Sequence, residues 1–263
     1  MTTPPDARPV VVKLGGSTLG AHDTSLADIA AARRAGRNIV VVHGGGAAVS
    51  AWLERAGITP RFVRGLRVTD EATLDAVVGV LAGVVNKQLV AELGALGAPA
   101  IGLSGADSLI LQARRYDEEL GFVGRIERVN PFPIEELLNL GYVPVIAPIA
   151  IESEGLAQPQ LLNTNADTAA GEIAAALGAS ALIFLTDVAG VMDAAQRVLP
   201  QLAADEAREL LASGAVSGGM IPKVEAAMRA AAAGCRTLII DGREPGAILG
   251  ALAGDVAGTT VVP

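Results

Sequence analysis

Short runs rich in Val and Ile alternate along this chain with longer stretches rich in Ala and Leu, and no other feature limits the fold as tightly. The strand-like runs are 10–14, 39–43, 100–103, 143–147, 181–186 and 237–241. Helical patterns lie at 26–35, 47–56, 71–96, 167–177, 204–212 and 219–233, and several end at a glycine: Gly36, Gly57, Gly178 and Gly234. A glycine there can take the left-handed conformation that closes a helix. Parallel strands need long crossovers, which helices supply, and apolar runs without polar alternation belong to strands covered on both faces. The pattern predicts an α/β fold, a three-layer αβα sandwich around a mainly parallel open sheet. In such a sheet the ligand site lies at the carboxyl ends of the strands.

Two segments break the rhythm. Residues 108–129 alternate and carry charge around a 116–121 turn, so they read as a β-hairpin, and residues 61–68 read as a second one. No repeat, low-complexity tract or free linker separates the chain, which predicts two lobes, 1–178 and 179–263, fused near residue 178.

An apolar content of 51% with a mean hydropathy of +0.46 raises the question of a membrane. No run of about 18 uninterrupted apolar residues occurs. A long charge-free apolar stretch, 173–186, is cut by Gly178 and flanked by Glu172 and Asp187, as in a buried helix leading to a buried strand. Residues 1–9 are Pro-rich and lack the apolar centre of a secretory signal. Cys235 stands alone, without a partner for a disulfide or a zinc pair. These features predict a cytoplasmic protein that does not span a membrane. A net charge of −8 and 3% aromatic residues argue against a nucleic-acid partner, which needs clustered cations and stacking platforms.

The chemistry is read from lysine and glycine. Among 20 basic residues only Lys13, Lys87 and Lys223 are lysines, so arginine is the ordinary cation and lysine marks places that want a compact ammonium. Lys13-Leu-Gly15-Gly16-Ser17 follows the first strand and His43-Gly-Gly45-Gly46 the second. Each precedes a helix whose first amides would face an anion. Lys223 follows a third glycine-rich segment, Ser217–Pro222. The G-x-x-x-x-G-K-[ST] and G-x-G-x-x-G signatures are absent, so phosphate would be gripped by ammonium groups and backbone amides, the groups that phosphoryl transfer requires. With only His22 and His43 available, a histidine base is a poor prospect and His43 reads as structural. A carboxylate acceptor needs no base, since it is already anionic at neutral pH.

Taken alone, Arg67 is either a fork for a carboxylate or a solvated cation. Asp167 is either catalytic or the cap of the helix that begins there. Asp187 is either a ligand residue or the cap of a turn.

These segments, with Gly65-Leu-Arg-Val-Thr-Asp70, Asn86-Lys87, Gly102-Leu-Ser-Gly105, Asn163-Thr-Asn-Ala-Asp-Thr-Ala-Ala-Gly171, Leu185-Thr-Asp-Val188 and Gly218-Gly-Met-Ile-Pro-Lys223, resemble the amino acid kinase superfamily from Val11 to Val261. Within it they resemble the branch that acts on N-acetyl-L-glutamate. The resemblance implies transfer of the ATP γ-phosphoryl group to the side-chain carboxylate of N-acetyl-L-glutamate, in arginine biosynthesis. Mg²⁺ would ride on the ATP phosphates, with no metal site on the protein. It implies that Lys13 and Lys223 stabilise the transferring group, that Asp167 orients them, and that Gly16 and Gly45 donate amides. Gly45, Gly46, Arg67 and Asn163 would line the acceptor pocket, and Gly15, Thr186, Asp187, Gly190 and Met220 the ATP side. Asn86 and Lys87 fall in the region implied to form a homodimer. Ala47 departs from the commoner proline after the third glycine.

The alternatives are a kinase of lysine biosynthesis whose acceptor rides on a carrier protein, and a catalytically dead amino acid sensor. Against the latter stand intact Lys13, Asp167 and Lys223. Arginine-inhibited members carry an extra N-terminal helix, which Pro4, Pro5 and Pro9 oppose, so an arginine-insensitive homodimer is expected.

Overall fold

The computed structural model describes residues 8–15, 24–154, 158–193, 195, 197–214, 216, 218–255 and 257–263. The first half runs β1 (Val10–Leu14), α1 (Ser25–Arg34), β2 (Ile39–His43), α2 (Gly46–Arg55), β3 (Phe62–Val63), β4 (Leu66–Arg67), α3 (Glu71–Val78), α4 (Asn86–Ala95), β5 (Ala100–Ser104), β6 (Leu111–Arg115) and β7 (Gly124–Val129). The second half runs α5 (Phe132–Asn139), β8 (Val143–Ala147), β9 (Ile149–Glu152), β10 (Leu161–Asn163), α6 (Ala166–Ala176), β11 (Ala181–Thr186), β12 (Gln201–Ala203), α7 (Ala204–Ala212), α8 (Met220–Ala232), β13 (Arg236–Asp241), α9 (Ala247–Ala253) and β14 (Gly258–Val262).

An eight-stranded sheet has the order β12-β14-β13-β11-β1-β2-β8-β5. Its neighbours are parallel except β13 and β14. Successive side chains of a strand face opposite sides, so Val11 joins Leu182, Phe184 and Ile239 in one buried core while Val10 and Val12 join Ile183 and Leu238 in the other. Helices α6 and α8 cover the first face; α1, α2, α4 and α9 cover the second. This is the three-layer α/β arrangement read from the alternation. The six strand-like runs all lie in this sheet.

Strand β1 is central, with β2 on one side and β11 on the other. The connections leave it in both directions, which opens a crevice at its carboxyl end. The predicted hairpins stand over that crevice. The 108–129 hairpin forms β6 and β7, in a separate four-stranded sheet with β9 and β10, and the 61–68 hairpin forms β3 and β4. Thr69 bridges to Gly121 and Val123 to Asn163, tying these pieces to each other.

The helix expected at 71–96 is continuous from Glu71 to Ala95, but its middle, Gly79–Val85, is π-helical. At 25 residues, with an 18-residue window of mean hydropathy 1.5, it has the length and composition of a membrane-crossing helix, a feature that a search for uninterrupted apolar runs passes over. Here it lies on the sheet, with Leu81, Val85, Leu89 and Leu93 in the second core. The fully buried Asn86 bonds to the Val145 carbonyl at 2.9 Å.

Candidate functional site

Three charged side chains meet at the crevice. Lys13 is near the end of β1, Asp167 is in the first turn of α6 and Lys223 is in the first turn of α8. Both ammonium nitrogens lie 2.9 Å from the same oxygen, Asp167 Oδ1. The carboxylate is free to receive them because another residue caps the helix: Asn165 Oδ1 accepts the Asp167 and Thr168 amides at 2.8 and 3.0 Å. The alternative reading of Asp167 as that cap is thereby excluded.

Helix α6 reaches α8 through a missing side chain. A Cβ on Gly171 would lie 2.8 Å from the Ala226 carbonyl oxygen and 3.0 Å from the Ala226 Cβ. Only glycine lets the two helices approach this closely, and Asp167 and Lys223 lie on those two helices.

The cluster is 6–7% exposed at each member. Burial alone would raise the Asp167 carboxyl, but Lys13 and Lys223 outweigh it and hold the group below the usual range. Burial lowers the Lys223 ammonium from its ordinary value, with Asp167 opposing the shift and Lys13 adding to it. Two cations against one anion leave a surplus positive charge in a poorly hydrated crevice, where it acts strongly on any incoming anion.

Beside the cluster lies a cavity of about 230 Å³ whose wall includes Lys13, Gly45, Gly46, Arg67, Asn163 and Asp167. Arg67 ends β4, with its guanidinium 4.7 Å from the Phe62 ring centre. Its Nη2 donates to the Gly46 carbonyl at 2.9 Å and to Ser50 Oγ at 2.8 Å. Its buried Nη1 has no acceptor among the described residues. A buried donor without an acceptor is costly, and a carboxylate bound in the cavity would satisfy it. Asn163 donates to Thr69 Oγ1 at 3.1 Å, and Thr69 donates to the Arg67 carbonyl at 2.8 Å, so the two cavity residues are braced by a buried hydroxyl. Next along, Asp70 caps α3 by accepting the Thr73 amide.

Residues 8–241 match the profile of the Amino acid kinase family. The chain belongs to that family. Among its curated relatives is the acetylglutamate kinase of Solibacter usitatus, 48% identical over 96% of this chain and 98% of its own length. That of Dehalococcoides mccartyi is 46% identical over 96% of this chain and 93% of its own. Among solved structures, the Streptococcus mutans UA159 protein smu.665 is 30% identical and superposes with a TM-score of 0.82 over 96% of this chain and 98% of that one.

For this amino acid kinase the structure unites Lys13, Asp167, Lys223, Gly45, Gly46, Arg67 and Asn163 around one crevice. Gly15 is buried directly after β1. Gly16 lies outside the described residues, as do Ser217, His22 and residues 1–7. The remaining four form no wall of the Arg67 cavity. Thr186 ends β11, where its hydroxyl donates to the Val188 carbonyl at 2.8 Å and accepts the Val188 amide at 2.9 Å, shaping the turn that carries Asp187. Asp187 favours the Lys223 charge electrostatically, which places it toward the cluster. Gly190 closes the same turn at φ +156°, with Thr259 Oγ1 2.7 Å from where its Cβ would stand. Met220 opens α8 and packs on the first core. A cleft of about 530 Å³ shares Gly65, Leu66, Val123 and Asn165 with the first cavity and continues to Gly218 and Pro222 before Lys223. Among the described residues no three His, Cys, Asp or Glu side chains gather as a metal site.

Sequence reasoning gave no role to Ser50, Phe62, Thr69 or Gly171. A glycine inside a helical pattern is a signal of close approach, and it was present at Gly171. Nothing in the sequence pattern points from Ser50 or Phe62 to the Arg67 side chain.

Proposed function

We propose that this chain is an acetylglutamate kinase, transferring the γ-phosphoryl group of ATP to the side-chain carboxylate of N-acetyl-L-glutamate. The observation that carries the reading is the surplus-positive Lys13–Asp167–Lys223 cluster beside a cavity with an unsatisfied arginine donor. Two anions must be brought together in this reaction, and the chain offers a cation to each.

The acceptor's α-carboxylate is assigned to Arg67 Nη1 and its acetamido end to Asn163, over Gly45 and Gly46. Its side-chain carboxylate then points toward Lys13. ATP, with Mg²⁺ on its phosphates, supplies the phosphoryl group from the α8 side, where Lys223, Thr186, Asp187, Gly190 and Met220 stand, while Gly15 and Gly16 follow β1. A carboxylate oxygen forms the new P–O bond as the bond to the bridging oxygen of ADP breaks, giving an acyl phosphate. No proton moves, which fits a site without an available base. Lys13 and Lys223 neutralise charge on the phosphoryl oxygens in passage, and Asp167 holds the two ammoniums at one spacing. This divides the chain into an acceptor lobe, 1–178, and a nucleotide lobe, 179–263.

The same reading makes the protein a cytoplasmic homodimer. The edge strand β5 supports pairing: its five residues are half-buried where those of β1, β2 and β8 are buried. Next to it the Glu71–Ala95 helix exposes Gly79, Gly83 and Val84. Light scattering would give twice the 26.5 kDa chain mass; a monomer would overturn the dimer.

The function is tested by trapping acyl phosphate as hydroxamate, with N-acetyl-L-glutamate, glutamate and N-acetyl-aspartate as acceptors and Lys223→Ala as control. Turnover of N-acetyl-L-glutamate alone, lost in the control, is expected. ATP binding without turnover of any free acceptor would overturn it in favour of a carrier-bound acceptor or a sensor.

A further inference from the structure

Three features the proposed reaction leaves unused converge at one point behind the glycine cradle: His43, the Asn86-Lys87 pair and Gly102. His43 and Asn86 are fully buried. The Asn86 side chain leaves the widened part of its helix and donates from Nδ2 to the Val145 carbonyl at 2.9 Å and to the Leu103 carbonyl at 3.3 Å. Its Oδ1 takes the Lys87 ammonium at 3.1 Å, and Lys87 also donates to the Gly102 carbonyl at 3.0 Å. Carbonyls accept and an ammonium only donates, so the amide has one possible orientation. Nδ2 has two hydrogens for three contacts, so one goes to the Val145 carbonyl and the other is shared between His43 Nε2, 3.1 Å away, and the more distant Leu103 carbonyl.

A ring nitrogen that accepts carries no proton, so the proton of the neutral imidazole is on Nδ1. Nδ1 lies 2.8 Å from the Gly44 carbonyl oxygen and donates to it. Burial holds the ring neutral by lowering its pKa to about 4, against the pull of the Gly44 carbonyl and with the help of Lys13 and Lys87. Every peptide bond among the described residues is trans. In a trans peptide the carbonyl and the following N–H point in opposite directions, so fixing the Gly44 carbonyl against His43 turns the Gly45 amide away from the ring. Gly45 is a wall of the Arg67 cavity, and its N–H has no acceptor among the described residues.

We infer that Lys87, Asn86 and His43 act in series as positioning residues that hold the Gly44–Gly45 peptide plane, so that the Gly45 amide is presented to the reacting carboxylate and phosphoryl group. The chemistry served rests on the acetylglutamate kinase reading; the network itself does not. Two glycines make room for it. A Cβ on Gly102 would stand 1.9 Å from Asn86 Oδ1, and Gly45 sits at φ +153° with Leu81 Cδ2 2.6 Å from where its Cβ would be. The third lysine of the chain thus has a role, in which a single ammonium orients an amide.

The test has two arms. In ¹⁵N-labelled protein, long-range proton–nitrogen NMR should show His43 with Nδ1 protonated and Nε2 bare from pH 6 to 8. Protonation of Nε2 in that range overturns the network whatever the enzyme acts on. In the kinetic arm, His43→Leu should lower kcat by about 10²-fold, the loss typical of one missing amide donor, with KM for ATP and acceptor changed less than threefold. His43→Asn can still donate to the Gly44 carbonyl and should recover most of kcat. Lys87→Met, on the exposed side, should fold normally and lower kcat by several-fold, which keeps the test available if His43→Leu does not fold. Loss confined to KM, an Asn variant no better than Leu, or a Lys87→Met enzyme at parental kcat would overturn the inference. Failure of the parent enzyme on N-acetyl-L-glutamate is a separate result, against the function and not the network.

Discussion

Replacing Asp167 by Asn removes the one anion between two buried ammoniums and changes almost nothing in volume. The cluster goes from a net charge of +1 to +2, with Lys13 and Lys223 each about 7% exposed and both formerly 2.9 Å from the deleted charge. Removing one partner of a buried ion pair costs about 3–5 kcal/mol. For a protein of this size that is a fall in Tm on the order of 10 °C. The protein has one means of relief, which is to release a proton from Lys223, whose pKa burial already lowers. Without Asp167 to oppose it, that shift deepens.

The sign follows from proton linkage. A lysine depressed in the folded state binds fewer protons folded than unfolded, so stability rises with pH between the folded pKa and the ordinary value of about 10.4. Parent and variant both gain, the variant more. Urea unfolding at pH 6, 7, 8 and 9 should therefore show the largest gap at pH 6 and a smaller one at pH 9. A gap below about 1 kcal/mol at pH 6, under the range expected for a broken buried pair, or one constant across the series would refute the reasoning. Hydroxamate assays on the same samples should show kcat falling more than KM rises.

Three further outcomes are expected. Arg67→Lys loses the Nη2 bonds to Gly46 and Ser50 and the stacking on Phe62. With charge-assisted bonds at about 1.5–3 kcal/mol, KM for the acceptor should rise about 10- to 100-fold and kcat change much less; an unchanged KM in initial-rate assays would remove Arg67 from the acceptor pocket. Gly171→Ala puts a methyl 2.8 Å from the Ala226 carbonyl oxygen, which should destabilise the fold by about 1–3 kcal/mol in urea titrations and lower kcat as Lys223 draws away from Asp167; parental values for both would deny that this helix contact sets the cluster. Burial pushes the Cys235 thiol up to about 11, with Thr237 and Arg8 opposing, so a disulfide reagent at pH 8 should label it only after unfolding, and rapid labelling of the native protein would contradict its burial.

The centre of the sheet was legible because β1, β2, β8 and β11 are buried along their whole length, and such strands show as plain Val and Ile runs. The pieces that escaped the reading are short or half-exposed. Strand β12 is three residues, and β14, Gly-Thr-Thr-Val-Val, has the burial pattern of a strand with one face covered. The π-helical middle of the Glu71–Ala95 helix has no periodic signature, since composition there is apolar on every side. Within the site, residue type was readable and support was not. Residue type made Arg67 and Asp167 candidates, and the family resemblance chose between their alternative roles. Thr69, Ser50 and Gly171 act through contacts with residues far along the chain, which only the folded arrangement brings near.

The choice of lysine over arginine at positions 13 and 223 follows from the shared oxygen. A guanidinium is a planar fork that spreads its donors along two directions and matches the two oxygens of one carboxylate. Two planar forks on a single carboxylate would compete for both of its oxygens. An ammonium is compact and has three donors, so each lysine spends one on Asp167 Oδ1 and keeps two for other acceptors. The 2.9 Å contacts from both sides to one oxygen are the geometry that two point-like cations permit. A chain that otherwise uses arginine keeps lysine where two cations must share one anion and still offer donors to a third group, and at Lys87, where one ammonium must reach an amide oxygen and a strand carbonyl together.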